Sequence, residues 1–138
     1  MSNQVLLKTA LLISFVATSG SLFFSEVMSL PPCVLCWYQR ILMYPLILIF
    51  SVGLFRNIKE SFIYGLTLSV FGLVIASYHN LLYYHLIPES ITPCTSGVSC
   101  TSRQIEWFGF VTIPLLSLIA FILITGLGIL VLKNKENK

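Results

Sequence analysis

Four apolar runs dominate the chain, and they leave few ways for it to fold: Val5–Phe24, Trp37–Phe55, Phe62–Leu82 and Phe110–Leu132. Each is about 20 residues long, the length of helix that crosses a bilayer core. In lipid an unpaired backbone amide is too costly to leave exposed, so only helices and closed barrels span a membrane. None of the runs shows the strict apolar–polar alternation of a barrel strand. The predicted fold is therefore an all-α membrane protein, a four-transmembrane-helix bundle with helices at roughly 5–24, 37–55, 62–82 and 110–132. Composition agrees: 57% of residues are hydrophobic and 9% charged, where a soluble domain carries charge on about a quarter. The runs occupy most of the 138 residues, which predicts a single integral membrane domain over 1–138, with no internal repeat or low-complexity tract.

The charges orient the bundle. Lys8, Arg56, Lys59, Lys133, Lys135 and Lys138 fall near the N-terminus, in the second connection and in the C-terminal tail; only Arg40 and Arg103 fall on the other side. The positive-inside rule then places both termini in the cytoplasm and the first and third loops outside it. The net charge of +3 follows from this bias and does not point to nucleic acid. The stretch A-L-L-I-S-F-V-A-T-S-G-S in the first run resembles a signal-peptide core. Its basic flank is Lys8 alone and apolar character resumes at Leu22–Phe24, so a retained helix is the preferred reading.

All four cysteines lie in the two outer segments, Cys33 and Cys36 in P-P-C-V-L-C-W-Y-Q-R and Cys94 and Cys100 in T-P-C-T-S-G-V-S-C-T. Outside the cytoplasm, disulfides persist. As structural staples, rings of four and seven residues would each contribute about 2 kcal/mol before strain, and the membrane helices already hold the ends of these loops. Small, exposed rings are more often labile and catalytic. Zinc is disfavoured too, because five residues separate Cys94 from Cys100 and the sequence sets no histidine or acid close to either pair.

Redox chemistry suits the first pair. Pro31 and Pro32 cannot continue a helix, so one begins near Cys33 and sets C-V-L-C at a helix N-terminus, where partial positive charge favours a thiolate. Arg40 follows Cys36 by one turn on the same face and is expected to stabilise a thiolate on Cys36, an interfacial arginine reaching toward headgroups being the plainer alternative. Pro88, Pro93 and Gly97 make the segment around the second pair irregular, and at about 3.3 Å per residue it can reach the first pair or a partner. Two dithiols on one face form a relay that needs a lipid-soluble electron acceptor, which a quinone is. No Gly-rich nucleotide motif offers another.

The nine residues P-C-V-L-C-W-Y-Q-R resemble the redox motif P-C-x-L-C-x-Y-x-R of the DsbB-type membrane disulfide oxidoreductases. The loop C-T-S-G-V-S-C and the following W-F-G-F-V-T-I-P are similar to the BdbC branch of Gram-positive bacteria. The resemblance covers essentially the whole chain. It implies a quinone-dependent protein thiol-disulfide oxidoreductase, a multi-pass protein of the cell membrane that supports disulfide formation in exported proteins. A thioredoxin-like oxidase of the DsbA or BdbD type would react at Cys94 and Cys100, with Cys94 facing the partner. The pair would be reoxidised by Cys33–Cys36, with Cys33 exchanging with the loop and Cys36 facing the quinone, menaquinone for a Gram-positive source. Arg40 would stabilise the Cys36 thiolate that faces the quinone, and His79, in S-Y-H-N-L-L, matches a histidine the family places near the quinone, so both are candidate quinone-binding residues. An interfacial ring among Tyr78, Tyr83 and Tyr84 is the plainer reading of His79, His85 is assigned to that belt, and Trp37 and Trp107 read as interfacial anchors.

Two other readings compete. A vitamin-K-epoxide-reductase-like enzyme also links thiols to a quinone, but that family places its membrane C-x-x-C after the loop pair, and here it comes first. A transporter would bury acids, histidines or lysines within its spans; Glu26, Glu60, Glu89, Glu106 and Glu136 all fall in loops or at ends, and Lys8 is near a terminus. A non-catalytic membrane protein with structural disulfides leaves the C-x-x-C context unexplained.

Overall fold

The computed structural model describes residues 2–91, 94, 97–102, 106–107 and 109–136, with 106–107 and 135–136 described through the backbone. Pro93, Arg103 and Lys138, used above to place the loop and the charge bias, lie outside the described residues, as do the side chains of Trp107 and Lys135. Four helices are long and apolar enough to cross a membrane: α1 (Asn3–Leu22), α2 (Val34–Phe55), α3 (Ile58–Tyr83) and α4 (Ile113–Glu136). They pack in chain order around a ring, with α4 closing against α1 and only slight contact across the α1–α3 diagonal.

The ends of the helices follow local chemistry. Ser2 caps α1 by accepting from the Val5 amide. Asn57 caps α3 through the Lys59 amide, and its Nδ2 donates to Glu60 3.0 Å away. That cap starts α3 at Ile58, one turn before its apolar run. α2 likewise starts at Val34, ahead of Trp37, with Cys33 as its extended N-cap residue. α1 ends in a π-helical turn over Phe23–Val27. At the other junction the expectation of helix from Phe110 gives way to a two-residue hairpin: β1 (Glu106–Trp107) pairs antiparallel with β2 (Val111–Thr112). Gly109 turns it with φ of +78°, a conformation glycine adopts without strain. Helix α4 begins only after Thr112, whose Oγ1 accepts from the Leu115 amide at 3.3 Å.

Close approach of the helices depends on small residues, as expected where lipid offers no hydrophobic drive for association. A Cβ on Gly65 would stand 2.6 Å from the Phe50 ring, and one on Gly72 would overlap the ring of Phe121. Phe50, Phe62 and Phe121 are fully buried with Leu6, Leu7 and Leu46 in one core. Outside it, large apolar side chains such as Leu12, Phe15, Leu48 and Phe55 are exposed along the helices, an apolar exterior that suits lipid and not water. Two polar pairs join α3 to α4: Thr125 Oγ1 donates to Ser69 Oγ at 3.0 Å, and Asn80 Nδ2 to the Pro114 carbonyl at 2.9 Å.

Candidate functional site: two cysteine pairs and an apolar cavity

The antiparallel order brings the N-terminus of α2, the C-terminal end of α3 and the segment between α3 and α4 to one end of the bundle. There Cys33 and Cys100, each almost fully buried, share a small core with Leu35 and Leu82, and Cys36 and Cys94 pack against it half-buried. Cys94 and Cys100 form a disulfide, with Cα atoms 6.1 Å apart. Cys33 and Cys36 are free thiols whose sulfurs lie 3.2 Å apart.

Either sulfur of that pair can donate to the other. The helix N-terminus and His79 both face Cys33, so the negative charge settles there and the Cys36 thiol donates to it. That hydrogen bond is the largest influence on Cys33. Burial opposes it and the His79 ring assists it, and together they lower the Cys33 pKa from 9.0 to about 4. The sequence reading placed the stabilised thiolate on Cys36, through Arg40. The Arg40 guanidinium has a further task there: Nη2 donates to the Ser21 carbonyl at 3.0 Å and to Ser25 Oγ, joining α2 to the last turns of α1. The exposed Trp37 ring lies against Arg40, 5.5 Å from its guanidinium carbon to the ring centroid, a cation–π distance.

His79 was matched in sequence to a quinone-side residue. Among the described residues it lines a small cleft with Cys33, Cys36, Tyr83 and Cys100, and it is absent from the wall of the large cavity. Its Nε2 is 3.7 Å from Cys33 Sγ and 3.3 Å from the Cys100 carbonyl, and Gln39 Nε2 lies 2.9 Å from its Nδ1. The expectation that no histidine lies near either pair therefore holds along the chain but fails in space. Cys33, Cys36 and His79 present three ligand atoms within 4.8 Å of one another. His85, in a left-handed turn with φ of +56°, is exposed and lines neither opening.

Cys36 faces two ways. Besides the small cleft, it lines a cavity of about 590 Å³ between α1, α2 and α4, within the usual size range for sites that bury small molecules. The wall is apolar apart from a few groups, among them Ser25, Gln39, Arg40 and Tyr44. Arg40 Nε and the Tyr44 hydroxyl are buried with no hydrogen-bond partner among the described residues. Gln39 and Tyr44 were given no role in the sequence reading, although polar groups inside an apolar run are the usual mark of function in a membrane helix.

The chain is similar to several known proteins. A family model described as "Disulfide bond formation protein DsbB" matches residues 3–131. "Disulfide bond formation protein C" of Bacillus subtilis (strain 168) is 45% identical over 127 residues, covering 90% of this chain and 91% of the relative. "Probable disulfide formation protein C 1" of Bacillus anthracis is 43% identical over 122 residues, 88% of each chain. "Probable disulfide formation protein" of Metapseudomonas resinovorans is 43% identical over 121 residues, 87% of this chain and 84% of the relative. No solved structure matches the chain.

Proposed function

The chain belongs to the DsbB family of disulfide bond formation proteins, and from that premise we propose that it is the quinone-linked member of an exported-protein oxidation pathway. The coarser part of this is direct: the chain is a multi-pass membrane protein of a thiol-disulfide oxidoreductase family. The finer reading adds a DsbA- or BdbD-type thiol oxidase as electron donor and a quinone, menaquinone in a Gram-positive host, as acceptor. Both termini are then cytoplasmic and the cysteine end extracytoplasmic, following the basic residues at the opposite end.

The observation that carries the reading is the position of Cys36, between the loop disulfide on one side and an apolar cavity on the other. A reduced partner attacks the Cys94–Cys100 disulfide at the more exposed Cys94, leaving as a disulfide itself while the loop becomes a dithiol. The loop dithiol then attacks the Cys33–Cys36 disulfide, and the loop closes again as Cys33 and Cys36 become thiols. Re-forming the Cys33–Cys36 disulfide releases two electrons and the Cys36 proton, and with Cys33 already a thiolate the second proton comes from solvent. A quinone held in the cavity would take up the electron pair and two protons. The cavity fits one: it is apolar, of suitable volume, and its wall includes two residues, Arg40 and Tyr44, with unpartnered buried donors that match quinone carbonyls.

Purified protein supplied with a reduced thioredoxin-like oxidase and menaquinone tests this. Quinone reduction that disappears in Cys36→Ser and in Cys94→Ser supports the relay; turnover that survives both substitutions refutes it.

A further inference from the structure

Gln39 lies in the C-V-L-C-W-Y-Q-R segment, one turn beyond Cys36, and only 6% of its surface is exposed. It has one evident task. Its side-chain nitrogen lies 2.9 Å from His79 Nδ1. The Cys100 carbonyl, 3.3 Å from Nε2, can only accept, so Nε2 donates and Nδ1 is left to accept from the Gln39 amide. In the neutral ring the proton then sits on Nε2, the atom that faces Cys33 and the Cys100 carbonyl. A ring nitrogen buried to this degree needs a partner in every redox state, and here there are two. The Cys33 sulfur is the stronger acceptor when it is an anion. When it is bonded to Cys36 it accepts poorly, and the carbonyl of Cys100 remains.

We propose that Gln39 is a positioning residue that locks His79 in its Nε2–H form, so that one ring proton serves the Cys33 sulfur and also holds the Cys100 backbone, and with it the loop disulfide, over the C-x-x-C pair. The same orientation argues against a metal on Cys33, Cys36 and His79, since ligation through Nε2 would need the proton on Nδ1 and an acceptor opposite it. The inference rests on thiol-disulfide exchange at Cys33 and is independent of the quinone reading, because the tautomer can be measured with no electron acceptor present.

The test is nitrogen NMR of the full-length, reduced protein in detergent with ¹⁵N-labelled histidine, the His85 signals being identified by their loss in His85→Gln. The expected result is a protonated Nε2 and an unprotonated Nδ1 on His79. In Gln39→Met that preference should weaken, with a measurable fraction of the ring protonated on Nδ1, and alkylation of Cys33 at pH 6 should slow by about tenfold, as for removal of a hydrogen-bond chain to a charged group; an unchanged ring in Gln39→Met overturns the proposal. Gln39→Glu, which preserves size, should protonate Nδ1. Wild-type protein with the proton on Nδ1 overturns the proposal, as does a Gln39→Glu variant whose ring is unchanged. If Gln39→Met fails to fold, the wild-type and Gln39→Glu spectra still decide the matter.

Discussion

The sulfur of Cys33 and the Nε2 of His79 are 3.7 Å apart across 46 residues of sequence. Cys33 caps the start of α2 while His79 lies in the last two turns of α3, so their meeting depends on the antiparallel packing of these helices. It makes Cys33 the residue on which negative charge collects, between a thiol, a helix N-terminus and an imidazole.

The first prediction concerns pH. With the Cys33 pKa lowered to about 4, alkylation of the reduced protein should be nearly as fast at pH 6 as at pH 8, whereas an ordinary thiol slows by about a hundredfold over that interval. The stability linkage has a definite sign. Between pH 4 and 9 the folded state carries a thiolate at Cys33 and the unfolded state a thiol, so the unfolded state binds more protons and stability rises with pH. This stabilisation is lost as pH falls through about 4. Thermal unfolding of reduced protein at pH 5 and pH 8, compared with Cys33→Ser, checks it: the wild type should gain more on going to pH 8.

A second prediction separates the two cysteine pairs. With a protein dithiol as donor, Cys94→Ser and Cys100→Ser should each abolish quinone reduction. With dithiothreitol, small enough to reduce Cys33–Cys36 directly, both variants should retain activity within about tenfold of wild type, while Cys33→Ser and Cys36→Ser remain inactive. If dithiothreitol fails to rescue the loop variants, the order of the relay is wrong.

For Arg40 the prediction lies in the KM. Arg40→Lys keeps the charge but loses the planar guanidinium, and with it the buried Nε donor at the cavity wall. The KM for quinone should rise about tenfold or more, as for loss of a charge-assisted hydrogen bond, with Cys33 alkylation unchanged. A changed alkylation rate with an unchanged KM would place Arg40 at the thiolate instead.

The glycines give a packing test. A methyl on Gly72 overlaps the buried ring of Phe121, so Gly72→Ala should destabilise the protein by about 1–3 kcal/mol. Gly126, exposed and with nothing within 4 Å of its Cβ position, should tolerate alanine within about 0.5 kcal/mol. Unfolding in detergent reads both, and equal effects would mean that α3 and α4 do not pack at Gly72.

The sequence by itself determined the four spans, their alternating direction and the end of the bundle that carries all four cysteines, because a bilayer demands about 20 apolar residues per crossing and helix periodicity is a local property. It also located the start of α2 near Cys33, since Pro31 and Pro32 act within a residue or two. The hairpin before α4 escaped it, the run from Phe110 being as apolar as the helix it leads into. Which sulfur holds the charge, that His79 serves the thiols and stands apart from the large cavity, that Gln39 touches His79, and that Cys36 opens onto a space between α1, α2 and α4 were decided only by tertiary structure. Each depends on atoms brought together from different helices, with distances set by how the Gly65 and Gly72 contacts let those helices close.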